Sequence, residues 1–254
     1  MEKALIITAR TPSSRLPSKI IKNIYKNFKT IDIIIERAKK INIPIILATT
    51  KQKEDNFLCN YVKKNYKIKI FRGSFSKIER WHQCYKKYKI KYGCITEGDD
   101  PLFNYKLYIK EINKKITHDV ITYPRNIING GQFFYIISYR GILKIKNLVN
   151  KYKYNDTEII DPFVKKAKLK KKTIFVKKLF KNKKIRLTLD YPEDFRLIQK
   201  VVNNFGHMIE NEKVVNFLIK NKKLAKINFF RESDYLNNQS RLIKKWGFNK
   251  QVTK

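Results

Sequence analysis

Acidic residues, glycine, cysteine and long apolar runs are all scarce in this sequence, and each shortage closes off a class of explanation. The 254 residues contain three cysteines, Cys59, Cys84 and Cys94. They have no metal-ligand spacing and leave one over from any disulfide, so neither a zinc ribbon nor a disulfide scaffold fits, and buried reduced thiols are expected. Only eight glycines occur and no Gly-x-x-x-x-Gly-Lys is present, which excludes a P-loop. His82, His118 and His207 are scattered and belong to no Ser/His/Asp or Cys/His set. No stretch approaches the roughly 18 consecutive apolar residues of a membrane span, and the N-terminus lacks a charged-then-apolar signal segment. A soluble, cytoplasmic protein with no membrane partner is expected.

The shortage of acid is the most lopsided: 21 Asp and Glu stand against 58 Lys and Arg, a net charge of +37. Such an excess ordinarily points to nucleic acid or another polyanion. Here the basic residues are mostly Lys, travel with abundant Ile, Asn and Tyr, and are spread along the whole chain, as an A/T-biased coding sequence would produce. A nucleic-acid binder concentrates its charge on one face or tail and favours Arg for bidentate contacts. The reading is therefore no specific nucleic-acid partner, with the charge serving to steer anionic substrates.

Short apolar runs alternate with longer helical patterns, which predicts an α/β fold with a doubly wound, mostly parallel sheet. Strands are expected at Ala4–Thr8, Ile43–Ala48, Lys67–Phe71, Tyr92–Thr96, Val120–Tyr123, Gln132–Ser138, Thr173–Val176 and Ile185–Leu189. Helices are expected at Ile31–Ile41, Glu54–Asn65, Ser76–Tyr88, Leu107–Ile116, through Leu143–Val149, and from Pro192 to about Asn203. Ser76 with Glu79 three residues on has the form of a capping box, and Ser138 is a candidate cap for the helix through Leu143. The Lys-rich stretch Lys165–Lys184 reads as an exposed hairpin or edge region. A helical tail follows from Glu212. The division expected is a main domain over 1–202 and a helical C-terminal extension over 203–254.

What is present in the right order is a cationic turn directly after the first strand: Ala9-Arg10-Thr11-Pro12-Ser13-Ser14-Arg15-Leu16-Pro17-Ser18-Lys19. Ligands of open α/β sheets bind outside the carboxyl ends of the strands, where backbone amides and helix N-termini add positive field. Arg10, Arg15 and Lys19 are thus candidates to hold a nucleotide's phosphates, and the bland alternative is an exposed basic loop. Asp99, on the turn Glu97-Gly98-Asp99-Asp100-Pro101, and Asp190, in Leu189-Asp190-Tyr191-Pro192-Glu193-Asp194, each end a strand. Either alone is equally a turn former or helix N-cap. Together they can share one Mg²⁺, which takes oxygen ligands and completes its shell with water and substrate phosphates. Asp100 is a candidate for an assisting group, and Glu193 and Asp194 for charges that favour the first turn of the following helix.

The N-terminal segment resembles the signature of the cytidylyltransferases that make CMP-sugars, the CMP-Kdo and acylneuraminate synthetases and most nearly the spore coat polysaccharide type. Their first strand leads into Ala-Arg-x-x-Ser-Thr-Arg-Leu-Pro-Gly-Lys along the triphosphate of CTP; Arg10, Ser13, Arg15, Leu16, Pro17 and Lys19 match. Ser14 stands for the usual Thr and Ser18 for the usual Gly, so a positive φ at that position would strain Ser18. CMP-Kdo synthetases carry Gln-Gly-Asp-Glu-Pro and Val-Asp-Thr-Pro-Glu-Asp, which assigns Asp99 and Asp190 as metal ligands. Arg72-Gly73-Ser74 and Arg80 correspond to a Phe-Arg-Gly-Ser segment and a downstream Arg near the nucleotide, and Ala48-Thr49-Thr50 to a segment beside the base. Asp156-Thr157-Glu158 before Asp161-Pro162-Phe163 resembles the sugar half of the site, with Ile159 where a histidine is often found.

The resemblance, covering about Met1 to Val202, implies a nucleotide-diphospho-sugar transferase-like fold with a β-rich projecting segment, Gly130 to Lys184, through which family members form homodimers. It implies CTP and an acidic or related sugar as partners, Mg²⁺ as cofactor, and in-line attack of a sugar hydroxyl on the α phosphorus with release of pyrophosphate. In that reaction Arg10, Arg15 and Lys19 neutralise phosphate while Ala9, Ser13 and Ser14 line the nucleotide. Such chemistry rests on positioning and charge stabilisation. Two alternatives stand beside it: a nucleotidyltransferase for another nucleotide or sugar phosphate, and a non-enzymatic polyanion binder.

If the charge is compositional, duplex DNA binds only in the nonspecific range of roughly 10⁻⁴ to 10⁻⁶ M at physiological salt. A sequence-selective nanomolar complex in a fluorescence-anisotropy titration at that salt would overturn the reading.

Overall fold

A computed structural model describes residues 1–124, 126–151, 157–181 and 184–245. The chain opens with β1 (Lys3–Thr8), followed by the small hairpin β2 (Asn23–Tyr25) and β3 (Phe28–Lys29) and by α1 (Thr30–Lys39). Next come β4 (Ile45–Thr50), α2 (Asn56–Asn65), β5 (Lys69–Gly73), α3 (Lys77–Tyr88), β6 (Tyr92–Glu97) and α4 (Tyr105–Ile112). The second half contributes β7 (Val120–Thr122), β8 (Tyr135–Ser138), α5 (Tyr139–Lys151), α6 (Asp161–Lys166) and β9 (Lys171–Thr173). It closes with α7 (Pro192–Phe205), α8 (Asn211–Lys220), α9 (Lys222–Phe229) and α10 (Arg231–Lys245).

Seven strands form one sheet in the order β5-β4-β1-β6-β8-β7-β9, in which only β8 runs antiparallel to its neighbours. Alternate residues of β1 point to opposite faces. Leu5 and Ile7 join a core with α1, α2, α4, α7 and α8, while Ala4 and Ile6 join one with Trp81 and Tyr85 of α3, Ile142 of α5 and Phe163 of α6. Burial on both faces is why β1 and β4 read as uninterrupted apolar runs rather than alternating ones.

Four expectations differ from the structure. The segment Gly130 to Lys184 is not a β-rich projection, because β8 is inserted between β6 and β7 and β9 pairs with β7 at the sheet edge, with α5 and α6 packed on the sheet. Within it the strand expected at Gln132–Ser138 begins only at Tyr135, and β9 starts before Thr173 and ends there. Ile185–Leu189 is extended but makes only the isolated bridge of Arg186 to Asn129; its amides go to loops, Leu187 N–H to Asn129 O (2.6 Å) and Leu189 N–H to Asp99 O (2.7 Å). Ser76 precedes α3 without capping it. Its hydroxyl meets Thr157 Oγ1 (3.0 Å), and Thr157 Oγ1 accepts the Ile78 N–H (2.9 Å), while Glu79 takes a bond from Gln83. The Ser138 cap is present, its Oγ accepting the Gly141 N–H at 3.0 Å.

After Phe205, Ile209, α8 through Val214, Val215 and Leu218, and α9 through Ala225 share the first core, while Ile243 of α10 joins the second. Arg37 of α1, fully buried, fastens them: its guanidinium donates to Phe103 O, His207 O, Ile209 O and Asn211 Oδ1 at 3.0–3.1 Å. Among the described residues no carboxylate forms an ion pair with it; the guanidinium satisfies oxygens that would otherwise be buried bare and lies 5.2 Å from the centre of the Tyr105 ring. No helix among the described residues is long and apolar enough to cross a membrane.

Arg37→Met keeps the volume but strands those acceptors, and unmet buried acceptors cost about 1–3 kcal/mol each. Urea unfolding of this variant is expected to show a loss of about 3 kcal/mol or more; a loss below about 1 kcal/mol would show that water replaces the guanidinium.

Candidate active site

The site lies at the carboxyl ends of β1 and β6. Gly98 makes this junction possible: its N–H donates to Thr8 O at 2.7 Å, and a Cβ there would stand 2.9 Å from the Ala9 Cβ. The loop leaving β1 lines a cleft of about 660 Å³ with Ala9, Arg10, Ser13, Ser14, Arg15 and Lys19, joined by Arg80 and Asp99. Ser18 has φ 56° and ψ 23°, a left-handed conformation, so the strain expected at this glycine-like position is present.

Asp190 stands beside the cleft because its segment is bonded to the Asp99 turn through Leu189 N–H. Gly130, at φ 81°, lets the neighbouring loop pass beneath: a Cβ there would fall 2.2 Å from the Thr188 nitrogen. Between the two carboxylates sits the Lys19 ammonium, 3.1 Å from Asp190 Oδ1, 3.3 Å from Asp99 Oδ2 and 2.7 Å from Leu189 O. Arg15 Nη2 donates to the same Asp190 Oδ1 (2.9 Å), and its guanidinium lies 5.1 Å from the centre of the Tyr191 ring. Arg186, fully buried, holds Asp190 Oδ2 (3.1 Å) together with Asp194 (2.9 Å) and Glu232 (2.9 Å).

Burial alone would push the Asp190 carboxyl up, yet Lys19, Arg15 and Arg186 hold it down at about 2. Burial would likewise lower the Lys19 ammonium, and Asp190 and Asp99 instead hold it above its ordinary value. Asp100 has the opposite environment. Burial pushes it up to about 7, with Oδ1 accepting the Gly131 N–H (2.7 Å). The Phe133 amide is felt by the carboxyl without meeting hydrogen-bond geometry, so Oδ2 has no donor.

The other sequence candidates separate. Arg10 lines the cleft but is paired with Glu158 (3.1 Å) and lies over the Phe75 ring. Arg80 is buried and donates to Ser74 O and Phe75 O, shaping the wall of the cleft. Arg72 is not in the lining; it donates to Thr50 O, Gln52 O and Asn56 Oδ1 and so fixes the turn after β4. Asp156 lies outside the described residues, and Thr157 serves α3. Sequence reasoning missed Arg186 and Glu232 altogether. It also missed Asp55, whose buried carboxylate accepts Thr11 N–H (2.6 Å) and Thr50 N–H (3.1 Å) and so ties the phosphate-loop candidate to β4. Asp194 does more than favour a helix start: Oδ2 accepts the Asp190 and Tyr191 amides (2.9 and 3.0 Å) while the same carboxylate pairs with Arg186.

The cytidylyltransferase family model matches residues 4–224. The chain belongs to the cytidylyltransferase family. Among solved structures, a cytidylyltransferase from Leptospira borgpetersenii serovar Hardjo-bovis superposes with a TM-score of 0.76 at 22% identity, covering 89% of this chain and 97% of that one. A CMP:2-keto-3-deoxy-manno-octonic acid synthetase complexed with CTP gives 0.58 at 13% identity over 80% and 98%. HddC from Yersinia pseudotuberculosis, complexed with GMP-PN, gives 0.55 at 16% over 80% and 100%. At these identities the likeness establishes the fold alone. No curated protein matches the sequence. In this cytidylyltransferase the loop after β1 and Asp99 line the cleft, and Asp190 stands beside it, bonded to Arg15 and Lys19.

Relieving the left-handed strain tests the geometry of that loop. Ser18→Gly is expected to stabilise by about 1 kcal/mol, the cost of the αL region to a residue with a Cβ, and so to raise Tm by about 2–4 °C. A fall in Tm in calorimetry would show that the Ser18 side chain contributes more than its backbone costs.

Proposed function

We propose that this cytidylyltransferase transfers CMP from CTP to a hydroxyl of a sugar acceptor and releases pyrophosphate. The observation that carries the reading is the Lys19 ammonium lying between Asp99 and Asp190 with Arg15 on the same Asp190 oxygen. Two carboxylates already face one cationic position there, and hard carboxylate oxygens of this kind suit Mg²⁺. Among the described residues no group of three or more His, Cys, Asp or Glu could hold a metal, so Asp99 and Asp190 would bind it as a pair and leave the remaining positions to water and phosphate. When bound, Mg²⁺ supplies charge neutralisation and lowers the pKa of a coordinated hydroxyl.

The chain's own residues do the rest. Lys19 and Arg15 are positioned to take phosphate oxygens, with Arg10 at the outer end of the cleft. The acceptor oxygen forms its bond to the α phosphorus as the bond to the β-phosphate oxygen breaks, and pyrophosphate departs with that electron pair. In the free protein Lys19, Arg15 and Arg186 hold the Asp190 carboxyl well below the usual carboxylate range, as an anion. The proton of the acceptor hydroxyl passes to solvent as the new bond forms. The fixed charges stabilise the transition state because they are already in place.

With Mg²⁺, CTP at a hundredfold excess over Kd is expected to stabilise the protein by about 2.7 kcal/mol, and Arg15→Ala to remove most of that shift. Asp99→Asn, at the more exposed carboxylate, is expected to leave Tm nearly unchanged and to cut pyrophosphate release by about 10²-fold or more. Equal stabilisation by all four nucleoside triphosphates would remove the cytidine assignment, and normal turnover by Asp99→Asn would remove the metal pair.

A further inference from the structure

A cavity of about 260 Å³, sharing no described lining residue with the cleft, lies among α4, the start of α8 and the stretch after β9. Its apolar walls are Tyr105 and Leu107 of α4 and Phe175, Val176 and Phe180 beyond β9. Val176 and Phe180 are buried, whereas Phe175 is 77% exposed and leaves a phenyl ring at the mouth. Four of the five charged side chains in the described lining are spent on each other, Lys106 with Glu210 at 2.7 Å and Lys177 with Glu212 at 2.8 Å. The fifth, Lys110, is exposed, and a lone exposed charge holds a partner weakly. Charge therefore gives this cavity little selectivity.

Its distinguishing polar group is Gln132. The side chain is fully buried, Nε2 donates to Gly131 O at 2.8 Å, and Oε1 accepts from no donor. The bond to Gly131 O settles which end of the carboxamide is which, because the reversed amide would set two oxygens against each other. Buried side-chain acceptors are nearly always satisfied, so a bare one in a cavity wall marks a place for a donor. Water is a poor candidate. The other buried carboxamide of the lining, Asn211, gives its amide hydrogens to Leu102 O and Gly131 O and takes Arg37 on Oδ1. It has nothing to offer a water, which needs two to four polar partners.

We propose that this cavity binds a neutral compound of one or two aromatic rings bearing an N–H or O–H, with that donor on Gln132 Oε1 and the ring between Leu107, Phe175 and Phe180. The volume lies just below the roughly 300–1,000 Å³ of sites for drug-sized ligands, which sets the limit on ring number. The site does not depend on the transfer reaction, yet its wall is joined to the catalytic turn. Gly131, which takes the Gln132 bond at its carbonyl, gives its N–H to Asp100 Oδ1 at 2.7 Å, one residue from Asp99. A donor on Oε1 polarises the carboxamide and strengthens its bond to Gly131.

Indole and benzofuran have nearly the same size and shape, but only indole carries an N–H. Each is titrated into the full ¹⁵N-labelled chain, and the Gln132 side-chain amide signal is assigned by its loss in Gln132→Met. Indole is expected to bind about tenfold or more tightly than benzofuran, because Oε1 is already stripped of water in the folded protein and only the donor loses a water bond. The Gln132 amide protons are expected to move downfield with indole and not with benzofuran. Phe175→Ala, at an exposed residue, is expected to weaken both probes about threefold or more and to keep their ratio. Gln132→Met, close in volume, is expected to bring the ratio to about one. Should that variant fail to fold, the wild-type ratio, the amide shift and Phe175→Ala still decide. Equal affinity of wild type for the two probes, or no indole binding up to its solubility, overturns the proposal. So does unchanged affinity of both probes for Phe175→Ala, which would put them elsewhere on the molecule.

Discussion

The negative charge of Asp190 is the constraint on which the site is built. It is almost fully buried, and a buried carboxylate survives as an anion only with matched partners. Lys19 and Arg15 come from the loop after β1, Arg186 from the extended segment before α7, and the backbone support from Asp194. Each partner is itself constrained by a further one. Arg186 needs Asp194 and Glu232 as well as Asp190, and Lys19 needs Asp99 and the Leu189 carbonyl. Four stretches of chain far apart in sequence therefore hold their places through one carboxylate.

This arrangement explains why the site is both tight and receptive. Lys19 and Arg15 are neutralised by carboxylates in the free protein, so the cleft does not carry bare cations. They remain at its wall, where polyphosphate or a metal can redistribute those contacts without moving the backbone. Because Asp55 also ties Thr11 to the end of β4, the loop is held near its start as well as at Arg15 and Lys19. A loop fixed in this way loses little conformational entropy when a ligand arrives.

Local patterns made much of the molecule legible in sequence. The strand before Arg10, the helix from Thr30, the Asp99 turn and the start of α7 each depend on neighbours within about ten residues, and all were readable from apolar spacing, proline and turn chemistry. The convergence of Arg10, Arg15, Lys19 and Asp99 on one cleft, with Asp190 bonded to two of them beside it, was readable because strand ends collect ligands. Arg186, Glu232, Asp55 and Thr157 were not, since each acts through a partner distant in sequence or of ordinary surface type, and a lone Arg or Glu in a basic chain carries no signal. Arg72 shows the reverse error: a motif position can be spent on a turn. The insertion of β8 between β6 and β7 was illegible for the same reason, since strand order is decided by which edges remain free and not by the strand's own residues. The Glu232 contact of α10 was hidden behind a polar helical pattern that looks the same in a free tail.

The bond from Glu232 to Arg186 also sets a timetable for biosynthesis. Asp190 leaves the ribosome about forty residues ahead of Glu232, an interval of about 2–8 s at ordinary rates of elongation. Through that interval the nascent chain has its sheet, its cationic loop and both Asp99 and Asp190, but the innermost guanidinium lacks one of its three counter-charges. The nucleotide-facing half is thus assembled from residues made early, and the opposite half is sealed by the last helix to be synthesised. A protein truncated by premature termination near residue 224 would keep the residues that the family model matches and lose Glu232, and with it one counter-charge of Arg186.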